Sequence, residues 1–112
     1  MKKIEAIIRP EALEPLKEAL LAAHVDGITI SQVLGCGKQH GWTEHHRGSD
    51  VIMNTIPKVK VTLVVTEKRL EEIVGIIIEI SRTGEVGDGK IFITDICDCI
   101  RIRTGERGEK AI

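Results

Sequence analysis

The spacing of apolar residues along this chain changes from strand-like to helical and back to strand-like, and this series occurs twice. The strand-like runs are residues 2–9, 28–34, 59–66 and 91–96, and the runs with helical spacing are residues 11–23 and 67–82. A repeated strand–helix–strand unit predicts the ferredoxin-like βαββαβ arrangement, an α+β fold. Right-handed connections then place both helices on one face of an antiparallel four-stranded sheet.

The apolar positions within each run share one face and predict the core. The expected core residues are Ile4, Ala6, Ile8, Leu13, Leu16, Leu20, Ala23, Val59, Val61, Leu63, Val65, Leu70, Ile73, Val74, Ile77 and Ile80. For residues 67–82 a strand is the alternative, because Gly75 and the three isoleucines at 76–78 also suit one. The other sheet face carries apolar residues that nothing in the chain covers, so we expect an oligomer that buries its sheets against each other.

Length and composition restrict the class of protein. With 112 residues, 29% of them charged and 42% hydrophobic, the chain is expected to form one globular domain over residues 1–112. The net charge of −1 argues against a nucleic-acid-binding protein. No apolar run approaches the roughly 18 residues of a membrane span, and the first residues lack the apolar core of a signal peptide. We therefore expect a cytoplasmic protein.

The three cysteines, Cys36, Cys97 and Cys99, are odd in number and form no spaced framework, so a disulfide-stabilised secreted fold is not expected. We interpret them as small apolar side chains in a reduced protein. Metal or redox chemistry at Cys97 and Cys99, two apart on an expected strand, is the alternative.

A glycine-rich turn at residues 82–90 is the strongest indication of a ligand. Gly84, Gly87 and Gly89 allow positive φ and close approach, so that backbone N–H groups can converge on phosphate oxygens, and Lys90 adds a positive charge. The spacing is not that of a P-loop, because GxxxxGK[ST] is missing. The alternative is an ordinary tight turn with no ligand.

Two further segments bear on function. Residues 100–103 alternate isoleucine and arginine, which predicts a short extended piece that points Arg101 and Arg103 the same way, towards a polyphosphate. A solvated basic edge is the alternative. Residues 36–55 are polar and lack any period, and a loop of this length in a small domain is usually functional or disordered.

With these segments in view, the sequence resembles the PII signal-transduction (nitrogen regulatory) family over essentially its whole length. The matching segments are residues 1–10, 35–41, 43–44, 47–48, 57–60, 83–92 and 100–107. The resemblance implies a homotrimer with a nucleotide, ATP or ADP, in each cleft between neighbouring subunits. The implied nucleotide-binding residues are Thr29 and Val64 at the adenine, Gly37, Lys38, Gln39, Gly87, Asp88, Gly89 and Lys90 at the phosphates, and Arg101 and Arg103 from the adjoining subunit.

The resemblance also implies an effector and a moving loop. Residues 37–55 match the family's T-loop, 82–90 its nucleotide-binding turn and 101–112 its C-terminal segment. With Mg²⁺ and ATP, the implied effector is 2-oxoglutarate, with Gln39 as a metal ligand and Gln39, His40, Gly41 and Lys58 as effector contacts. These oxygen and ammonium groups suit a hard cation and a carboxylate. Ligands would then shift the population of loop conformations.

Arg47, near the tip of the loop, matches an arginine that enters the exit of an ammonium channel in some relatives. The implied target is therefore an ammonium transporter, followed by an enzyme or regulator of nitrogen metabolism, with membrane contact only through a transporter. The three loop histidines, His40, His45 and His46, fit no standard zinc spacing and are not expected to bind metal.

Four positions depart from the family pattern. Val51 stands where the modified tyrosine would be, and the chain has no tyrosine, so tyrosyl modification is excluded. Ser49 matches a serine that some relatives phosphorylate. Thr62 replaces a glutamate near the nucleotide, and Cys36 replaces an aromatic residue near the effector, so nucleotide preference and effector affinity stay open.

These observations predict a regulatory protein that is not an enzyme. The first alternative is a small ATP-hydrolysing or phosphotransfer enzyme that uses the same cleft, although no nucleophile and base accompany the glycine turn. The second is a trimeric interaction module with an empty cleft.

Overall fold

The computed structural model describes the backbone of residues 1–38 and 53–112 and the side chains of residues 1–36 and 55–112. Its elements are β1 (Lys2–Ile8), α1 (Leu13–Ala22), β2 (Thr29–Lys38), β3 (Met53–Val65), α2 (Leu70–Ser81) and β4 (Lys90–Asp95). A single turn of 3-10 helix leads into each α-helix, at Pro10–Ala12 and Glu67–Arg69, and a third lies at Gly108–Ala111. The predicted βαββαβ order is confirmed.

The four strands form one sheet in the order β2-β3-β1-β4, and every neighbouring pair is antiparallel. The strands on either side of each helix are therefore never neighbours, because β3 separates β1 from β2 and β1 separates β3 from β4. This interleaving is the split βαβ topology of the ferredoxin-like fold. It puts the end of β1 and the start of β4 side by side, with Ile7 opposite Lys90.

The core lies between the sheet and the two helices. Its buried apolar residues are Ile4, Ala6, Ile8, Leu16, Leu20, Val59, Val61, Leu63, Val65, Ile73 and Ile77, all of them expected from the sequence. Ile80 was expected in the core but is 36% exposed, because the last turn of α2 turns Ser81 inwards instead. Residues 76–78 are helical and α2 continues through Gly75, so the strand alternative is wrong.

Strands β2 and β3 extend further than their sequence pattern indicates. They reach Lys38 and begin at Met53, whereas alternation is clear only to Leu34 and from Val59. Gly35 and Pro57 interrupt the alternation of apolar and polar residues, so the full length of these strands is not evident from the sequence. Pro57 is tolerated because β1 pairs only with residues 59–65 of β3, which leaves Pro57 with a neighbouring strand on one side only. The two strands form an arm that projects beyond the rest of the sheet and leads into residues 39–52.

Among the described residues, nothing covers the sheet face opposite the helices. This face carries apolar side chains, including Ile7 and the half-exposed Phe92, among charged ones. Glu5 lies on this face with its carboxylate 3.0 Å from Lys3 Nζ and 3.9 Å from Lys60 Nζ. The hydrogen bond from Lys3, the largest influence, and the charge of Lys60 lower the pKa of Glu5. In the described parts of the chain, no helix is both long enough and apolar enough to cross a bilayer.

Helix α1 ends in a Schellman motif that uses a histidine where glycine is usual. His24 has φ of 63°, its N–H donates to Leu21 O at 3.0 Å, and the Val25 N–H donates to Leu20 O at 3.0 Å. Glycine is preferred at this position because a Cβ atom disfavours the left-handed conformation.

We expect His24→Gly to raise the free energy of unfolding by about 1 kcal/mol, since it removes that steric cost. Urea unfolding at one protein concentration measures the change. His24→Ala is the matched control, because alanine keeps the Cβ atom and should give no such gain. Equal effects of the two variants would contradict a conformational cause.

Candidate functional site

The glycine-rich turn joins the end of α2 to the start of β4, and its backbone takes a shape that only glycine adopts easily. Gly84, Gly87 and Gly89 have φ of 91°, 104° and 102°. Gly89 also lies against the end of β1, where a Cβ atom would be 1.7 Å from Ile7 O. The turn can pack there only because residue 89 has no side chain.

The carboxylate of Asp88 closes the turn from inside. Oδ2 accepts hydrogen bonds from the N–H groups of Thr83 and Gly84, both at 2.8 Å, and Oδ1 accepts from the Thr83 hydroxyl. The Thr83 hydroxyl, followed by the Thr83 N–H, holds the pKa of Asp88 well below its usual range. The carboxylate is therefore ionised and committed to the turn. Because the carboxylate is negative and already accepts hydrogen bonds, the phosphate contact predicted for residue 88 would have to come from its main-chain N–H.

Two cations from the sheet hold the turn in place. Arg9, just after β1, donates from Nε to Asp88 Oδ1 at 3.1 Å and from Nη2 to Val86 O at 2.9 Å. Lys58, in β3, donates from Nζ to Gly87 O. Sequence reasoning assigned no role to Arg9, since nothing in one sequence pairs residue 9 with residue 88. The family resemblance implies an effector contact for Lys58, and in the structure its ammonium group reaches the turn.

Lysines gather on the uncovered sheet face beside the turn. Lys90 begins β4 opposite Ile7, and Ile7 lies opposite Lys60 of β3, so these two lysines share the face with Lys58 two residues further along β3. Lys90 is exposed. Positive side chains next to a glycine turn form a suitable environment for an anion such as phosphate.

Thr29 and Val64 lie elsewhere, in a cavity of about 480 Å³ at the other end of β3. Thr29 is opposite Thr62 in the sheet, and both line this cavity. The remaining lining residues are His24, Val25, Asp26, Gly27, Leu63, Val65, Thr66, Arg69, Glu109 and Ile112. The walls are partly apolar and partly polar, which suits a flat heterocycle with hydrogen-bonding edges.

The C-terminal segment reaches the same cavity through Ile112. Arg101 Nη1 lies 3.2 Å from Glu106 Oε1, and Arg101 Nη2 lies 3.5 Å from Ile112 O. The expectation of an extended piece over 100–103 is wrong: only Ile100 pairs, with Arg107, and residues 102–104 form a turn. Arg101 and Arg103 therefore do not alternate along a strand, because a reversal at this point lets Glu106 bond Arg101.

Asp98 fixes the base of this C-terminal turn. Its Oδ2 accepts from Arg107 Nε at 2.8 Å and Nη2 at 2.6 Å, and its Oδ1 accepts from the Cys99 and Gly108 N–H groups. The hydrogen bonds from Arg107, followed by the Cys99 N–H, lower the pKa of Asp98. The segment that carries Arg101 is thus a defined structure and not a loose tail.

One chain does not bring all the predicted residues together. Asp88, Gly89 and Lys90 line a different cavity, of about 310 Å³, from the one lined by Thr29 and Val64. Gln39, His40, Gly41 and Arg47 lie outside the described residues, as do His45, His46, Ser49 and Val51, and Gly37 and Lys38 are described only as backbone of β2.

The cysteines are free thiols, with Cys36 and Cys97 exposed and Cys99 partly buried. Within residues 1–38 and 53–112, no three side chains of His, Cys, Asp or Glu are close enough to form a metal site.

Comparison with known proteins identifies what this chain is similar to. The family model described as nitrogen regulatory protein P-II matches residues 1–106. The P-II protein of Cereibacter sphaeroides is 49% identical over 112 residues, which cover all of both chains. Among solved structures, B. subtilis GlnK in complex with ATP has 37% identity and a TM-score of 0.87 over 99% of this chain and 96% of that one. Arabidopsis thaliana PII bound to citrate has 42% identity and a TM-score of 0.79 over 99% and 91%.

Proposed function

Because the chain belongs to the nitrogen regulatory protein P-II family, we propose that it is a trimeric, cytoplasmic signalling protein that binds ATP or ADP in clefts between its copies. Its curated relatives are named as regulatory proteins, and the family acts by regulation, not catalysis. The observation that carries the nucleotide assignment is the glycine turn, held rigid by Asp88 and flanked by lysines. A relative of the same fold binds ATP.

The cleft between copies follows from how the site residues are distributed. The glycine turn and the cavity with Thr29 and Val64 belong to separate parts of one chain. A nucleotide that needs both can have them only if a second copy supplies one part. Arg101, next to Ile112 at the second cavity, would then reach the phosphates held by the neighbouring turn, and Arg103 follows it in the same segment. The uncovered sheet face gives the copies an apolar surface for association.

The effector proposed is 2-oxoglutarate. A relative binds citrate, which is also a small polycarboxylate. Lys58 lies at the edge of the glycine turn, where its ammonium group could pair with a carboxylate. Gln39, His40 and Gly41 complete the proposed effector contacts. Cys36 is exposed near the start of this segment, on β2.

The residues described offer Mg²⁺ no carboxylate set, because the oxygens of Asp88 already accept from N–H and hydroxyl groups. We therefore propose that the metal enters with ATP, bound by phosphate oxygens and by the amide oxygen of Gln39. Bound there, it would neutralise phosphate charge and organise the effector.

The target proposed is an ammonium transporter, with an enzyme or regulator of nitrogen metabolism as the second choice. The arm formed by β2 and β3 projects from the sheet and would carry residues 39–52, including Arg47, towards a partner. Ligands at the base of the arm would favour some loop conformations over others and so control partner binding.

Calorimetric titration tests the sensor assignment. We expect ATP and ADP each to bind, to compete with each other, and in the case of Mg²⁺–ATP to bind more tightly when 2-oxoglutarate is present. If neither nucleotide binds at millimolar concentration, the assignment fails. ATP turnover near ~1 per second, typical of enzymes, would favour the catalytic alternative instead.

We expect Lys90→Ala to weaken ATP binding by about 10- to 100-fold, because it removes a charge-assisted contact to phosphate. Lys68→Ala is the matched control, since Lys68 is an exposed lysine in the 3-10 turn before α2. Equal dissociation constants for Lys90→Ala and the unmodified protein would remove Lys90 from the site.

A further inference from the structure

We infer that Arg9 is the positioning residue of the glycine turn: through Asp88 and Val86 it sets the geometry in which the turn binds nucleotide, without touching the nucleotide itself. This role rests on the proposed nucleotide site and extends it to a residue at the end of β1.

The geometry supports a role that only arginine fills well. The guanidinium group donates to two acceptors at different points of the turn, the Asp88 carboxylate at 3.1 Å and the Val86 carbonyl at 2.9 Å. A planar group with several fixed donors can satisfy both at once, whereas an ammonium group is a single point. The side chains of Arg9 and Asp88 are only 26% and 24% exposed, so solvent competes little for this contact.

The contact also sets the charge that the turn presents. Asp88 is ionised and lies between the two glycines nearest Lys90, where an uncompensated carboxylate would repel phosphate. Arg9 supplies a compensating charge, with its Nε 3.1 Å from Asp88 Oδ1. Arg9 further lies beside Gly87, where a Cβ atom would be 3.2 Å from Arg9 Nη2, so the guanidinium group packs against the turn as well as bonding to it.

Four atoms make these contacts: Nε and Nη2 of Arg9, and Oδ1 and Oδ2 of Asp88. Each bonds either to the turn or to the other side chain. Arg9 differs in this from Lys90, which lies exposed on the uncovered sheet face.

A double-mutant cycle separates positioning from direct contact. We expect Arg9→Met to weaken ATP binding about tenfold or more in the otherwise unmodified protein, and Arg9→Lys to restore part of the loss. In an Asp88→Asn background the same Arg9→Met change should weaken ATP binding less than it does in the unmodified protein, because the bond to the Asp88 carboxylate is already disrupted and only the bond to Val86 O remains. Additive losses in the cycle would overturn the inference and indicate a direct phosphate contact.

A second readout does not depend on nucleotide binding. Amide hydrogen exchange at Thr83 and Gly84, whose N–H groups donate to Asp88 Oδ2, should become faster in ligand-free Arg9→Met, whereas Lys17→Met, which loses an ion pair with Glu14 on α1, should leave it unchanged. Unchanged exchange in Arg9→Met would also overturn the inference. If the unmodified protein binds no nucleotide but exchange responds as expected, the proposed function fails while the positioning role stands.

Discussion

Replacing Gly89 by alanine should reduce the free energy of unfolding by about 3 kcal/mol or more and abolish measurable ATP binding. Two costs combine at this position. The φ of 102° is strained for any residue with a Cβ atom, and that atom would lie 1.7 Å from Ile7 O and 2.8 Å from Ile7 C. Both atoms are strand backbone, so β1 and the turn must separate to admit the methyl group. A loss of this size is a large fraction of the roughly 5–15 kcal/mol that stabilises a typical domain.

Two other glycines provide graded controls for this variant. Gly84 has φ of 91° but nothing within 4 Å of an added Cβ, and Gly27 has neither a positive φ nor a neighbour. Alanine at 27 should therefore change stability little, alanine at 84 should show strain alone, and alanine at 89 should show strain plus collision. Denaturant unfolding at a fixed protein concentration measures all three. If alanine at 84 and 89 cost the same, the contact with Ile7 contributes nothing.

Replacing Asp88 by asparagine should weaken ATP binding by about 10- to 100-fold with little change in side-chain size. The carboxylate oxygens accept from four donors, the Thr83 N–H and hydroxyl, the Gly84 N–H and Arg9 Nε. An amide has only one acceptor oxygen and would point an NH₂ group at some of these donors. The turn should then open, because donors are left without acceptors. Titration with ATP measures the loss, and a dissociation constant within twofold of the unmodified value would exclude this role.

The same variant should alter the dependence of stability on pH. The folded-state pKa of Asp88 is lowered, so its stabilising contribution is complete above the unfolded pKa near ~4 and is lost as the pH falls through the lower folded value. Asp88→Asn lacks this contribution at every pH. The difference in urea midpoint between the unmodified protein and the variant should therefore be largest near neutral pH and shrink below about pH 4. A difference that grows on acidification would have the wrong sign.

The fold could be predicted from sequence because its core depends on simple periodicity. Residues at spacing two in the strands and three to four in the helices became the buried residues, since one face of each element must be covered. The errors fall where that pattern carries no information. Gly35 and Pro57 interrupt the alternation without ending the strands, and the final turn of α2 buries Ser81 in place of Ile80.

The conformation of the glycine turn could be predicted from sequence, but its contacts could not. Glycines and Lys90 indicated a phosphate-binding turn, and the turn has the expected positive φ values. The participation of Arg9 could not be predicted, because Arg9 and Asp88 are 79 positions apart and meet only when β1 lies beside β4. The reversal at residues 102–104 was missed because alternating isoleucine and arginine imitates a strand.

The separation of the glycine turn from the cavity of Thr29 and Val64 has a genetic consequence for the proposed trimer. Each cleft takes one half of its residues from one subunit and the other half from a neighbour. A cleft is therefore intact when both of those halves are intact, even if each subunit is damaged in its other half. A chain defective at Lys90 and a chain defective at Arg101 would each form only damaged clefts alone. Produced together, they would assemble mixed trimers in which some clefts combine two undamaged halves. Two inactive alleles of this gene should therefore complement each other, whereas two alleles that damage the same half should not.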